Sequence, residues 1–415
     1  MDKLVYGFDF GTTNSAIAIR RQGVAEVLPI GMDGSRTVRS VLYFPEDEKR
    51  FYVGEEAILK YVDDGMHGRF LQSVKSLLPD PSFRGTAIRG FGNQEVFELV
   101  AKIIRNLKQR ADVLLGADVQ SVVLGRPAVF SEIPERDKVA EDRLVAAARE
   151  AGFTDIRLQL EPIAAGLHYE ETLDREQIVL VADFGGGTSD FTIMRLSPER
   201  RYQPDRKTDV LANGGVYIGG DRFDSQIMAH KLFKYFGEDT TFKSLNKTFP
   251  FPAHLLAKLR KWQLIPFLKD SHTRQIIREL LQNSSDVEAI KRLKTLIEEN
   301  LGFALFRSIE KAKVGLSEHD LEEISFHESD ISIKESISRA EFDIIIGEEI
   351  REFDKCINRV TEHAGIGLPD IQVVFVTGGT SLVPRVHDFL VAKFGSGRIR
   401  TGDTFTSVAA GLALS

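Results

Sequence analysis

Gly7-Phe8-Asp9-Phe10-Gly11-Thr12-Thr13-Asn14-Ser15, followed by Ala16-Ile17-Ala18-Ile19, has a second version in Ala182-Asp183-Phe184-Gly185-Gly186-Gly187-Thr188-Ser189-Asp190, followed by Phe191-Thr192-Ile193. Each copy is an apolar strand ending in Asp, then a Gly/Thr turn, then an alternating strand. That is the pattern of a β-hairpin whose tip approaches something closely. The copies lie one domain's length apart, so the repeat predicts two similar lobes that each present a hairpin tip to a shared cleft.

Working outward, Val96, Leu99, Val100, Ile103, Ile104, Leu107 and Ala111 trace an amphipathic helix. Val119 to Leu124 reads as a buried strand ending at Gly125-Arg126-Pro127, and Glu135 to Ala151 as a helix stopped by Gly152. After the second hairpin, Gly219-Gly220 precedes a helical run from about Phe223. Thr240 to Asn300 carries Pro250, Pro252 and Pro266 ahead of a helical period through Ile290, Leu293, Ile297 and Leu301, and reads as an insertion. One last helix through Phe342, Ile345, Ile346, Ile350, Phe353 and Ile357 leads to the strand Ile371 to Val376, then Thr377-Gly378-Gly379-Thr380. Strands alternating with helices predict an α/β fold with mixed or parallel sheets covered by helices. The lobes are drawn at residues 1–176 with 400–415, carrying a smaller subdomain at about 38–92, and at 177–399, carrying an insertion-bearing subdomain at about 222–335.

A chain of 415 residues is two to three times a usual single domain, which suits two lobes. Its formal charge of −7 argues against binding a polyanion through bulk electrostatics, so neither nucleic acid nor an anionic membrane is an expected partner. No apolar run approaches the roughly 20 residues of a membrane span. The N-terminus enters a strand-like Leu4-Val5-Tyr6 at once, with no room for a signal sequence. Cys356, the single cysteine, lies in the helical pattern of Phe353, Ile357 and Val360 and reads as a structural thiol. A cytoplasmic protein is expected.

Gly- and Thr-rich tips place backbone N–H groups and short hydroxyls within reach of an anion, and phosphate is the natural guest. One such loop is weak evidence. Two copies, with Gly219-Gly220 before a helix and Gly378-Gly379 after a strand, point to a common purpose, nucleotide binding. Asp9 and Asp183, each at the end of a hairpin's first strand, would face the same cleft. Two uncompensated carboxylates are costly, which suggests a divalent cation such as Mg²⁺; otherwise each Asp caps its own turn. Asp190, two residues past Thr188, could orient water or a hydroxyl.

These segments, with Ile218-Gly219-Gly220-Asp221-Arg222-Phe223-Asp224, Glu310-Lys311-Ala312-Lys313 and Thr377-Gly378-Gly379-Thr380, occur in the order seen in the ATPase domain of the seventy-kilodalton heat-shock (DnaK-type) chaperones. Leu160-Glu161-Pro162-Ile163-Ala164-Ala165-Gly166-Leu167 and Ile337-Ser338-Arg339-Ala340-Glu341-Phe342 resemble further stretches of that family, so the resemblance covers nearly the whole chain. Gly125-Arg126-Pro127 and Ser407-Val408-Ala409-Ala410-Gly411-Leu412-Ala413 look closest to its short YegD-like branch.

The resemblance implies an actin-like ATPase fold that binds ATP or ADP with Mg²⁺. Gly11, Thr12, Thr13 and Asn14 would hold one side of the triphosphate, and Gly185, Gly186, Gly187 and Thr188 the other, near Gly219 and Gly220. Asp9 and Asp183 would hold Mg²⁺ mainly through water. Lys75, in Gln72-Ser73-Val74-Lys75-Ser76-Leu77-Leu78, matches the family's catalytic lysine, with Glu161, Asp183, Thr188 and Asp190 in the catalytic set. Glu310 and Lys313 would bind the ribose, and Gly378, Gly379 and Thr380 the adenosine.

Departures from the family pattern carry their own expectations. Val314 and Leu382 stand where the chaperones place the two arginines that sandwich adenine, so aliphatic contacts, weaker ATP binding and looser base selectivity are expected. Arg126 replaces an aliphatic residue and either adds positive charge near the phosphates or forms a surface ion pair. Glu135 takes the place of the arginine that relays linker docking, and the chain ends at Ser415, so peptide-coupled chaperoning in the usual sense is not expected. The leading expectation is a nucleotide-driven switch that acts on an unidentified protein partner or co-chaperone. The alternative is an actin-like scaffold or filament protein with incidental hydrolysis, which would not need Lys75. A small-molecule kinase on the same fold would need an acceptor site with its own base.

Overall fold

The computed structural model describes residues 4–131, 133–200, 206–244, 247–403 and 406–415. Residues 245 and 246 of the segment expected as an insertion, and the side chain of Pro266, lie outside the described residues. A first sheet is built from β1 (Val5–Phe10), β2 (Asn14–Arg21), β3 (Val24–Val27), β4 (Ser121–Arg126) and β5 (Asp155–Leu160), with helices α1 (Val96–Leu115) and α2 (Pro134–Glu150) in its connections. Helix α3 (Glu161–Glu170) leads to a second sheet of β6 (Gln177–Phe184), β7 (Ser189–Leu196), β8 (Val210–Val216), β9 (Val373–Thr377) and β10 (Ile399–Thr401), and α4 (Ser407–Leu414) follows it.

The first sheet runs β5-β4-β1-β2-β3, with the short strand Val38–Arg39 also on β2, and the second runs β10-β9-β6-β7-β8. In each, the hairpin and the strand after it are antiparallel, while the other two strands join parallel. The expected duplication therefore extends from two hairpins to two mixed sheets of the same topology.

Period-two alternation gives β1 and β2 two different faces. Tyr6, Phe8, Phe10, Ile17 and Ile19 share a core with Leu99, Ile103, Ile104 and Leu107 of α1 and with Ala140 and Leu144 of α2. On the other face, Ala16 and Ala18 pack against Ala409 and Ala413 of α4. A Cβ on Gly7 would lie 2.2 Å from the backbone nitrogen of Ala413, so the helix reaches the strand only over glycine. Asp9 is on this small-residue face, opposite Ala16. In the second sheet, Val179 and Val181 pack with Ile163, Ala164 and Ala165 of α3, and Asp183 continues that face.

The chain divides into two compact units, residues 1–220 with 350–415, which hold both sheets, and residues 221–349. The second unit contains the helices Ala253–Leu259, Ser271–Asn283, Val287–Glu298 and Gly302–Gly315 and the antiparallel hairpin of Leu321–Glu328 with Ile331–Ser338. Leu255, Leu259, Ile277, Leu280, Ile290, Leu293, Leu296 and Ile297, all from the segment read as an insertion, are buried side chains of this unit.

The single helix expected through Phe342 and Ile357 is two helices, Arg339–Ile345 and Gly347–His363. Ile346 leaves the helical region, with φ −92° and ψ 9°, before Gly347, a poor helix former. The apolar spacing runs through the break because Phe342, Ile346, Ile350 and Phe353 are all buried. Cys356 is buried and forms no disulfide, as its helical pattern implies. Among the described residues, no helix is long and apolar enough to cross a membrane.

Candidate functional site

The two hairpin tips approach each other: a Cβ on Gly187 would lie 3.1 Å from Thr12 Cγ2. The second tip is closed by a bond from the Gly185 N–H to the Thr188 carbonyl and wrapped by two more glycine turns. The Gly220 N–H donates to the Gly185 carbonyl at 3.2 Å, and a Cβ on Gly219 would sit 2.5 Å from that oxygen. From the other side, the Thr380 hydroxyl donates to the same carbonyl at 2.8 Å. Gly378 has φ +83°, and its missing Cβ would fall 2.3 Å from the Phe184 carbonyl oxygen. Gly379, Thr380 and Leu382 form the short helical turn that follows. Sequence-distant glycines thus meet at one tip because only bare backbone fits there.

Beneath the tips lies a cluster of charge. Glu161 is the first residue of α3, where a helix N-terminus favours an acid. Lys75 lies in a short turn, Val74–Leu77, and its Nζ donates to Glu161 Oε1 at 2.6 Å in a buried pair. Asp183 and Asp190 are directly opposite across β6 and β7. The Thr188 hydroxyl donates to Asp190 Oδ2 at 3.1 Å.

Burial, then repulsion from Glu161 and Asp190, pushes Asp183 up to about 8, with Lys75 offsetting part of the effect. Burial and Glu161 push Asp190 up to about 7, against the lowering hydrogen bond from Thr188. Asp9 is held well above the ordinary carboxylate range, first by burial and then by Glu161. Asp9 and Asp183 lie deep among protein atoms yet retain some solvent contact. For Lys75, burial alone would lower the pKa, but Glu161 and Asp9 outweigh it and hold the ammonium above its usual value.

Four carboxyl groups crowded around one ammonium raise one another's proton affinity, and a divalent cation is the charge that would let them ionise together. Asp190 Oδ1, in the cluster, and Thr13 Oγ1, on the first tip, are each buried without a hydrogen-bond partner. Among the described residues, no three His, Cys, Asp or Glu side chains converge tightly enough to hold an ion by themselves. A cation held by Asp9 and Asp183 with water and phosphate oxygens suits that arrangement.

Other residues of the expected site lie in the second unit. Glu310 and Lys313 are three residues apart on the helix Gly302–Gly315, and Lys313 Nζ pairs with Asp224 at 2.8 Å. Burial raises Asp224 to about 7, with Lys313 acting against the rise. Asp224 closes the Ile218 to Asp224 motif, and nothing in that motif by itself marks it as the partner of Lys313. Val314 in this unit is 60% exposed and Leu382 in the first is 54% exposed, so neither aliphatic side chain is part of a core.

Of its two expected roles, Arg126 takes the ion pair, but in a largely buried rather than a surface setting. It is bonded to both carboxylate oxygens of Asp137 at 2.9 Å and to Glu141 at 2.6 Å, with its guanidinium 5.1 Å over the Phe130 ring. Its charge is neutralised by α2.

A family model described as Hsp70 protein matches residues 87–248 and 277–415. The interruption between these stretches falls within the segment read as an insertion. Among curated proteins, the chaperone protein HscA homolog of Shewanella sp. (strain MR-4) is 26% identical over 430 residues, covering 99% of this chain and 58% of the relative. Its counterpart in Pseudomonas paraeruginosa (strain DSM 24068 / PA7) is 29% identical over 430 residues, covering 99% of this chain and 57% of the relative. The homolog in Pseudomonas aeruginosa (strain LESB58) is 35% identical over 243 residues, covering 54% of this chain and 37% of the relative. The chain spans under two thirds of the length of these relatives. With well over half of its residues matched by the family model, and with two mixed sheets of one topology as an actin-like ATPase fold requires, the chain belongs to the Hsp70 family.

Proposed function

We propose that this protein binds ATP and ADP with Mg²⁺ and hydrolyses ATP slowly, using nucleotide state as a conformational switch that acts on a protein partner or co-chaperone. The observation that carries the reading is the buried Lys75–Glu161 pair set among Asp9, Asp183 and Asp190, beneath tips of bare backbone. A scaffold would have no use for a desolvated ammonium there.

Gly11, Thr12, Thr13 and Asn14 on one tip and Gly185, Gly186, Gly187 and Thr188 on the other bind the phosphates, with Gly219 and Gly220 supporting the second tip. Lys75 stabilises charge that develops on the transferring phosphoryl group, and Glu161 holds its ammonium in place. Asp190, steadied by Thr188, orients the attacking water. Mg²⁺, when bound, neutralises phosphate charge next to Asp9 and Asp183. Glu310 and Lys313 bind the ribose, Gly378, Gly379 and Thr380 the adenosine, and Val314 and Leu382 make aliphatic contact with the base, so base selectivity is loose. The lobes are those drawn at 1–176 with 400–415 and at 177–399, the branch is the YegD-like one, and the protein works in the cytoplasm.

Calorimetric titration with ATP and ADP, with Mg²⁺ and with a chelator, tests the binding step. Nucleotide heats that weaken strongly on chelation are expected; no heat and no thermal shift with any nucleotide would end this reading.

The pH dependence has a definite sign. Asp183 and Asp190 take up protons at about 8 and about 7 in the folded protein, against about 4 in an unfolded chain. Between those limits the cation-free folded form holds more protons than the unfolded one, so it loses stability as pH rises through the window. A cation needs the deprotonated oxygens. The rise in melting temperature on adding Mg²⁺ should therefore grow from pH 6 to pH 8.5, and an equal rise at both would count against these carboxylates as the site.

A further inference from the structure

The segment that carries Lys75 is held from outside itself. The turn Val74–Leu77 lies between the strand Arg69–Gln72 and a loop that runs to the strand Gly85–Ile88. A 3₁₀ turn this short has little hydrogen bonding of its own. Ser73, which opens it, is a buried non-glycine residue at φ +55°, in left-handed backbone that persists only where surrounding structure enforces it.

On the downstream side, that enforcement comes from Arg143 of α2. Its guanidinium donates to the carbonyls of Leu78 and Asp80 at 2.8 Å each, of Phe83 at 3.3 Å and of Leu77 at 3.4 Å. These are four main-chain oxygens of one loop, gathered by one planar fork. The same helix reaches the other partner of the buried pair. Asp137 and Glu141 of α2 hold Arg126 at the end of β4, and one residue back a Cβ on Gly125 would lie 3.0 Å from Glu161 Cγ. Helix α2 thus grips the backbone beside Lys75 and, through Arg126, the strand end that Glu161 rests on.

We propose that α2 is a positioning brace for the Lys75–Glu161 pair and that Arg143 is its principal positioning residue. Arg143 acts through the loop it gathers: with Leu77 to Phe83 fixed, the Lys75 turn has one place to sit, and the ammonium meets Glu161. The proposal rests on the reading of Lys75 as the group that acts in turnover. Displacement by about 1 Å at such a group costs turnover on the order of 100-fold, while phosphate binding by the hairpin tips is left alone.

The test is a cycle on the full chain: wild type, Arg143→Ala, Arg143→Lys, Lys75→Ala and the double variant Lys75→Ala/Arg143→Ala, each measured for kcat, ATP Kd and melting temperature. Arg143→Ala is expected to lower kcat about 10- to 100-fold with ATP Kd within about threefold. Arg143→Lys, which keeps the charge but not the fork, should fall between it and wild type. On the Lys75→Ala background, removing Arg143 should change kcat by less than about twofold, because the position it sets no longer matters. Arg143 variants that turn over at the wild-type rate, or two losses that simply multiply, would overturn the brace and leave Arg143 a structural arginine. Should Arg143→Ala fail to fold, the cycle with Arg143→Lys decides by the same criteria. A wild type that binds ATP but never turns it over overturns the reading of Lys75 and the brace together, whereas a wild type that turns over alongside equally active Arg143 variants overturns the brace alone.

Discussion

Replacing Lys75 with alanine should lower ATP turnover by about 100-fold or more while ATP affinity stays within about threefold. The asymmetry follows from where the ammonium sits. It is bonded to Glu161 and surrounded by Asp9 and Asp190, so it is already satisfied before nucleotide arrives and adds little to ground-state binding. Its value lies in answering charge that appears during phosphoryl transfer. The substitution also leaves Glu161 as a buried carboxylate without its partner, a loss on the order of 3 kcal/mol. The melting temperature of the cation-free variant should accordingly drop, and Mg²⁺ with ATP should recover part of it. Single-turnover phosphate release, read beside nucleotide Kd, separates the two effects. Wild-type rates in Lys75→Ala would make the lysine a structural ion-pair partner only.

Gly411→Ala should destabilise the protein by about 3 kcal/mol, against the sign that helix propensity predicts. In an open helix interior, alanine improves on glycine by about 1 kcal/mol. Here a Cβ on Gly411 would lie 1.7 Å from the Ala164 carbonyl oxygen and 2.3 Å from its carbon, so the new methyl meets the backbone of α3. No rotamer change relieves a contact of that kind; α4 and α3 must move apart. Since Gly7 already pins α4 to β1, and Glu161 begins α3, the separation should lower thermal stability and slow turnover together. Thermal unfolding of wild type and Gly411→Ala checks the first effect, and an unchanged melting temperature would mean that the helices are not pressed together.

Much of this architecture was legible in the order of residues. Alternation in β1, β2, β6 and β7, ended by Asp and then by glycine-rich turns, announced two hairpins, and each hairpin begins a sheet of one topology. Such features are local. A strand's two faces, a tight turn and a helix's buried stripe are determined by neighbours within a few positions. The break at Ile346 and Gly347 escaped because both helices bury the same stripe, so apolar spacing carries no mark of it. Arg126 was recognised as unusual, but its partners Asp137 and Glu141 are no more distinctive in sequence than any acids on a helix.

What the sequence determined by itself was therefore the duplicated α/β plan and the backbone cradle at its hairpin tips, because periodicity and glycine placement act over short stretches of chain. Family resemblance grouped Lys75 with Glu161, Asp183 and Asp190, but only the tertiary structure decided that Lys75 and Glu161 pair directly in a buried site and which backbones touch. Lys75 meets Glu161 across 86 positions, Thr380 reaches Gly185 across 195, and Gly411 closes on Ala164 from the far end of the chain. None of these pairs has a local signature. Each exists because packed sheets and helices bring distant segments together, and burial there removes the water that would otherwise let those groups ignore one another.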